Sequence, residues 1–137
     1  MATVVLLGTL DTKGLEYAFL RDRVREHGVD VLLVDAGVMG EPLVEPDVSR
    51  EEVASAAGVD HAELVRAADR GAAVDAMGRG AAAVLARLHG EGRLDGTAAF
   101  AIPAIAPAAL VRICAEIWLI PEMSTTEYII VTSTAPT

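Results

Sequence analysis

The sequence predicts a three-layer α/β domain, with helices on both faces of a mostly parallel sheet that is incomplete. The 137 residues are enough for one domain with a real core, and 53% of them are apolar. Continuous aliphatic runs, which are typical of strands buried on both faces, alternate with segments of helical periodicity. Polar segments bounded by glycine separate these runs from the helices, as expected for loops of an α/β domain.

The first strand–helix–strand unit occupies the N-terminal quarter of the chain. Residues 3–7 form an aliphatic run that predicts a buried parallel strand. A polar loop follows over residues 8–14, and apolar residues at helical spacing predict a helix over residues 15–27. Gly28 stands where a C-cap glycine is expected, and residues 29–34 predict a second buried strand. The connection between the two strands should be right-handed.

The middle of the chain predicts a long loop followed by three helices. Residues 35–47 contain two glycines, two prolines and four acidic residues, a composition typical of a loop. Ser49 and Asp60 are predicted helix N-caps, and Gly58 is predicted to end the helix between them. Residues 70–89 carry the longest helical pattern. Its small residues predict close packing against a neighbouring element or a partner subunit.

The composition of the chain changes near residue 97. Residues 1–101 contain no isoleucine, whereas residues 102–137 contain seven isoleucines and few charged side chains. We therefore divide the chain into residues 1–96, the N-terminal part of the domain, and residues 97–137, an apolar tail that completes or replaces the rest. Two interpretations stay open, namely a buried layer of β-branched strands or a tail with a different history, such as a frameshift, fusion or truncation.

The apolar tail contains the remaining predicted elements. Residues 97–102 predict a third strand, and residues 107–115 predict a helix with proline near its first turn. Residues 117–120 and 128–132 are strand-like, because they combine isoleucine with other aliphatic or β-branched side chains.

Charge and hydropathy argue against two classes of partner. The net charge of −9 gives no electrostatic attraction to nucleic-acid phosphates. The nearly uncharged stretch 97–111 contains two prolines and is shorter than the roughly 20 residues that a membrane-spanning helix needs. The single cysteine, Cys114, excludes an internal disulfide, and no signal peptide follows Met1. We therefore expect a cytoplasmic protein without nucleic-acid or membrane partners.

The loop after the first strand is the strongest candidate site. A strand that leads through a loop into a helix presents free backbone N–H groups and the positive end of the helix dipole to an anion. Glycines let the backbone approach a phosphate, and threonine hydroxyls can donate to it. Asp11 could hold Mg²⁺ or a ribose, and Lys13, the single lysine, could act as a point charge. Alternatively, Asp11 caps the helix and Lys13 is a chance surface residue.

A second candidate position lies at the end of the second strand. Ligands of open parallel sheets bind outside the carboxyl ends of the strands, where an acidic residue often bonds to ribose hydroxyls. Asp35 stands at that position. An equally simple interpretation is that Asp35 is a loop acid that turns the chain.

The sequence offers no evident catalytic machinery. His27, His61 and His89 are far apart, and each stands near a predicted helix end. Cys114 lies in an apolar stretch that is typical of a core thiol. Because no nucleophile and base stand at a useful spacing, we expect a binding domain rather than an enzyme.

Four segments in order resemble a known family, namely residues 8–14, 35–42, 49–53 and 69–77. They resemble the ATP-binding domain of the plant tomato mosaic virus resistance protein, whose bacterial relatives form an uncharacterised protein family. The resemblance covers residues 2–96. It implies a Rossmann-like domain that binds ATP with Mg²⁺, held by Asp11, within a longer protein. The nucleotide contacts that it implies are Gly8, Thr9, Asp11, Thr12, Lys13, Gly14, Asp35 and Gly37.

The resemblance ends after Asp95 and Gly96. At this point the family continues into a glycine-rich loop of the form GLGGSGGT, whereas this chain continues with TAAFAIPAIAP and has no further glycine. Such a segment cannot form the same cradle of backbone amides. The predicted function is therefore Mg²⁺-dependent ATP binding without established catalysis. The alternatives are a subunit that oligomerises through the tail and helix 70–90, or a truncated fragment that binds no nucleotide.

Overall fold

The computed structural model describes residues 2–100, 117–119 and 129–133 of the chain. In chain order, these residues form β1 (Thr3–Gly8), α1 (Leu10–Glu26), β2 (Asp30–Asp35), α2 (Arg50–Ala56), α3 (His61–Ala67), α4 (Arg70–Gly90), β3 (Gly96–Phe100), β4 (Ile117–Leu119) and β5 (Ile129–Ser133).

The strands form one mixed sheet in the order β2-β1-β3-β5-β4. β1 pairs in parallel with both β2 and β3, which confirms the α/β class and the parallel arrangement of the first three strands. β5 is antiparallel to both β3 and β4, so the parallel part of the sheet ends at β3. A strand is found at each of the three positions predicted in the tail, within the described residues 96–100, 117–119 and 129–133. The helix predicted over residues 107–115 lies outside the described residues.

Two apolar clusters, one on each face of the sheet, lie between the sheet and its helices. In the first cluster, Leu6 and Leu33 of the sheet pack with the buried Tyr17 of α1. Val5 and Val34 belong to the cluster that includes buried residues of α2 and α4. Consecutive residues of a strand thus belong to clusters on opposite faces of the sheet, because side chains alternate along a strand. Helices on both faces therefore cover β1 and β2, as the aliphatic runs predict.

The prediction of a polar loop over residues 8–14 is wrong, because α1 begins at Leu10. The backbone oxygen of Thr9 accepts hydrogen bonds from the N–H groups of Thr12, at 3.3 Å, and Lys13, at 2.9 Å. Lys13 itself has non-helical backbone angles, φ −120° and ψ 16°, which kink the helix. The segment is therefore one helical turn followed by a kink, because local backbone hydrogen bonds outweigh its polar, glycine-bounded composition.

Gly8 is needed for packing at the end of β1. The side chain of Tyr17 is 1% exposed, and its hydroxyl donates a hydrogen bond to the backbone oxygen of Leu7. A Cβ atom on Gly8 would overlap the tyrosine ring. Gly8 therefore lets Tyr17 pack α1 against β1, whether or not a ligand also approaches the backbone there.

Tyr17→Phe should lower the free energy of unfolding by about 1 kcal/mol, because it removes one buried hydrogen bond and keeps the ring. The midpoint of urea unfolding, with an unchanged denaturant slope, measures this loss. Equal stability of the variant and the wild type would show that the hydroxyl contributes nothing to the packing of α1.

The small residues of α4 pack within the chain. Gly80 is buried against α2, and a Cβ atom at this position would overlap the backbone oxygen of Val53. The neighbours of Gly80 on this face, Ala73, Ala76 and Ala81, are also buried. The close packing predicted for residues 70–89 is therefore provided by α2, and contact of other faces with a partner subunit stays a prediction. No helix within the described ranges is both long and apolar enough to cross a membrane.

Candidate functional site

The predicted site residues lie at the carboxyl edge of the parallel strands. β1 ends at Gly8 and β2 ends at Asp35, and the two residues are aligned in the sheet. The chain runs from β1 to β2 on one side and then crosses to β3 on the other, so the topological switch point lies between β1 and β3. Open α/β sheets bind ligands at this position. The residues near this edge divide into a buried group and a group that reaches the surface.

Asp35 belongs to the buried group, where protein donors occupy both carboxylate oxygens. Its side chain is 0% exposed and forms an ion pair with Arg50, with 2.9 Å between Oδ2 and Nε. Oδ1 accepts hydrogen bonds from the backbone N–H groups of Gly37, at 2.8 Å, and Leu10, at 3.3 Å. Asp35 thus joins the end of β2 to the starts of α1 and α2. This arrangement supports the interpretation of Asp35 as a residue that organises the loop.

Arg50 is the important residue that sequence reasoning missed. Its side chain is 8% exposed, and its Nη1 donates a hydrogen bond to the backbone oxygen of Gly40. One signal was available, since Arg50 is the first residue of α2, directly after the N-cap Ser49. A positive charge opposes the helix dipole at that end, so a cation there indicates a specific anionic partner.

The loop of residues 36–49 folds over the start of α1. The N–H group of Gly40 donates to Oδ2 of Asp11 at 3.0 Å, and that of Leu43 donates to the backbone oxygen of Leu10 at 2.9 Å. Gly14 is buried beneath this loop, since a Cβ atom on it would lie 2.7 Å from Cβ of Leu43. Packing against the loop thus accounts for Gly14 without a ligand.

Gly37 lies at the centre of the buried group. A Cβ atom on it would lie 2.7 Å from Nη2 of Arg50, 2.8 Å from Oδ1 of Asp11 and 3.0 Å from Oδ1 of Asp35. Those atoms of Arg50 and Asp11 are buried and have no hydrogen-bond partner within the described chain. The free oxygen of Asp11 therefore lies near a guanidinium group.

The metal role predicted for Asp11 stays a prediction. The free oxygen of Asp11 lies near Arg50, whose positive charge is paired with Asp35. The described residues bring together no group of three histidine, cysteine, aspartate or glutamate side chains that could hold a metal. Mg²⁺ that is bound with a nucleotide usually takes one or two carboxylates together with phosphate oxygens, so one aspartate is compatible with that role.

Thr9, Thr12 and Lys13 form the group that reaches the surface. The hydroxyl oxygens of the two threonines are 2.7 Å apart, and Thr9 makes no capping hydrogen bond to the first turn of α1. The side chain of Lys13 is 39% exposed, and its Nζ lies 4.0 Å from Oε1 of Glu16. The kink of α1 thus presents two hydroxyls and one ammonium group beside the switch point.

An open cavity of about 620 Å³ lies between the loop of residues 36–49 and α3. His61 lines it, and Nε2 of His61 lies 3.2 Å from the backbone oxygen of Gly37. Apolar side chains such as Val38 and Val65 and charged side chains such as Glu41 alternate on its wall. His27 and His89 are exposed near the ends of α1 and α4, so the described helices bring no catalytic histidine cluster together.

Comparison with known proteins adds a family relationship. The profile of the N-terminal domain of the uncharacterised protein family UPF0261 matches residues 2–101. A UPF0261 protein of Clostridium tetani is 38% identical over 93 residues, which are 68% of this chain and 23% of the relative. A UPF0261 protein of Brucella suis is 32% identical over 93 residues, which are 68% of this chain and 22% of the relative.

A UPF0261 protein of Rhizobium meliloti is 38% identical over 78 residues, which are 57% of this chain and 19% of the relative. The chain thus spans less than a quarter of the length of the curated relatives described above. No solved structure matches the chain.

Proposed function

Since the chain belongs to the uncharacterised protein family UPF0261 through its N-terminal domain, we propose that it binds a nucleotide through the phosphate groups. The observation that carries the proposal is the group formed by Thr9, Thr12 and Lys13 at the carboxyl end of β1. The resemblance of residues 8–14 and 35–42 to the ATP-binding domain of the tomato mosaic virus resistance protein favours ATP as the nucleotide.

The chemistry of the exposed group suits a phosphate. The hydroxyls of Thr9 and Thr12 are hydrogen-bonded to each other, and a phosphate would accept a hydrogen bond in place of that contact. The ammonium group of Lys13 supplies a compact positive charge. The N–H group of Leu10 at the start of α1 already donates to Asp35, so the helix contributes only the field of its dipole. Thr9 directly follows β1, so this group lies near the carboxyl edge of the parallel strands, where open α/β sheets bind their ligands.

The buried group supports the same proposal indirectly. Arg50 neutralises Asp35 through their ion pair, which reduces the negative charge that would repel a phosphate at this edge. The side chain of Asp11 is held by the N–H group of Gly40. In this proposal Asp11, Asp35 and Gly37 shape the edge, and any Mg²⁺ would arrive with the phosphates of the nucleotide.

Lys13→Ala should weaken the binding of Mg·ATP at least about tenfold, because one charge-assisted contact to phosphate contributes about 1.5–3 kcal/mol. Isothermal titration calorimetry at low salt measures the change. Arg79→Ala is the matched control, since it removes one exposed positive charge from α4 and should leave the affinity unchanged. Wild-type protein that shows no heat with ATP, ADP or GTP would contradict the proposal, as would equal affinity of Lys13→Ala.

Substitution of the glycines does not test the proposal cleanly. Gly14→Val would collide with Leu43, and any loss of binding would then follow from displacement of the loop. Thr12→Val is the better second variant, since Thr12 is exposed and valine keeps the shape of the side chain. A folded chain that binds no nucleotide would favour the alternative of an interaction subunit, and a chain that does not fold would favour a truncated fragment.

A further inference from the structure

Exposed apolar side chains cluster on and beside α1. Leu15 is 69% exposed and Phe19 is 65% exposed, although both belong to the helix that packs on the sheet. Leu43, which is 56% exposed, follows close by, because its Cβ contacts Gly14 of α1. Leu15 and Phe19 are four residues apart on one helix and so lie side by side, and adjacent exposed apolar side chains mark interaction sites more often than isolated ones do.

The position of Leu15 and Phe19 on α1 indicates where their partner must come from. Each is two residues from Tyr17, which is 1% exposed and packs against β1. At 3.6 residues per turn, two residues correspond to more than half a turn, so both side chains point away from the sheet. A neighbouring helix on the same face of the sheet would meet the flanks of α1 and leave this outer face open.

We propose that the outer face of α1 forms a homodimer, in which the two α1 helices pack antiparallel about a twofold axis near Phe19. The charges on this face support a second copy of the chain as the partner. Glu16 precedes Phe19 by three residues and Arg23 follows it by four, and both side chains are exposed. In an antiparallel pair, Glu16 therefore lies opposite Arg23 of the partner subunit, and the symmetry forms this ion pair twice.

The local geometry of Arg23 suits the centre of such an interface. Its guanidinium carbon lies 5.3 Å from the centroid of the Phe19 ring, within the range of a cation–π contact. Its Nη1 also lies 3.0 Å from Oε2 of Glu26. The side chain is thus already held over the apolar centre, where it can reach a carboxylate of the second copy with little further loss of freedom.

Sedimentation of the full chain over a dilution series tests the proposal. Wild-type protein should be a dimer, and Phe19→Glu should raise the dimer dissociation constant at least tenfold, because it places like charges beside the axis. Val65→Glu is the matched control, since Val65 is an exposed apolar residue of α3 and its replacement should leave the dimer intact. Far-UV circular dichroism establishes that each variant is folded.

Charge reversal tests the antiparallel register without touching the apolar centre. Glu16→Arg should weaken the dimer, because the introduced guanidinium group would face Arg23 of the partner subunit, and the second change Arg23→Glu in the same chain should restore it. A wild-type chain that stays monomeric at all concentrations overturns the proposal. A dimer that Phe19→Glu leaves unchanged, or a charge swap that restores nothing, also overturns it. Glu16 also lies 4.0 Å from Lys13, so the dimer dissociation constant, and not the affinity for ATP, is the measurement that decides this proposal.

Discussion

Asp35→Ala is expected to lower the free energy of unfolding by about 3–5 kcal/mol, because it leaves the buried guanidinium group of Arg50 without its carboxylate. The same change removes the acceptor for the N–H groups of Leu10 and Gly37. The end of β2 and the starts of α1 and α2 therefore lose a common partner. The midpoint of urea unfolding, followed by circular dichroism, measures the effect.

Two further variants test whether the loss of unfolding free energy comes from the buried ion pair or from the loss of any carboxylate. Asp75→Ala breaks an exposed ion pair with Arg79 and should cost less than about 1 kcal/mol. Arg50→Met keeps much of the side-chain volume, and a double-mutant cycle with Asp35→Ala should give a coupling of at least about 1 kcal/mol. An Asp35→Ala variant as stable as Asp75→Ala would show that the ion pair does not hold the loop.

Gly80→Ala is expected to lower the free energy of unfolding by about 3 kcal/mol, at the upper end of the usual range for an overpacked core. The added Cβ would overlap the backbone oxygen of Val53 and lie 2.8 Å from its carbonyl carbon. A backbone atom cannot turn aside as a flexible side chain can, so α2 must move away from α4. Thermal and urea unfolding both measure the loss.

Gly78→Ala is the matched control, since it makes the same change on the same helix. Among the described residues, no atom lies within 4 Å of the position that a Cβ on Gly78 would take, apart from its chain neighbours and the nearby backbone of α4. Alanine is the better helix former by up to about 1 kcal/mol, so this variant should be slightly more stable than the wild type. If both variants change stability alike, α4 does not contact α2 closely at Gly80.

Helix caps and strands of the N-terminal unit could be predicted because local chemistry determines them. Ser49 accepts a hydrogen bond from the N–H group of Glu52 at 3.2 Å, as the capping pattern indicates. Asp60 caps α3 in the same manner, through the N–H group of Ala62 at 3.0 Å. The aliphatic runs of β1 and β2 likewise indicate burial on both faces, and both strands are found within the sheet.

From the sequence, the location of the candidate site at the edge of the sheet could be predicted, but the burial of each residue there could not. Gly8, Asp35 and the residues between Thr9 and Gly14 do lie at one edge of the sheet, because parallel strands align their carboxyl ends. Which of them face inward depends on contacts with residues far away in the chain. Asp35 pairs with Arg50, which is fifteen residues away in the chain, and hydrophobic periodicity does not predict such a contact.

The sequence alone determined the class of the fold, since hydrophobic periodicity and capping residues act over a few neighbouring positions. The tertiary structure decided which candidate residues hold the fold and which reach the surface. Asp35 forms a buried ion pair with Arg50, and Gly37 is buried beside the same guanidinium group. The residues that reach the surface are Thr9, Thr12 and Lys13. The reason is that burial and pairing depend on which distant segments meet, and only the packed chain brings them together.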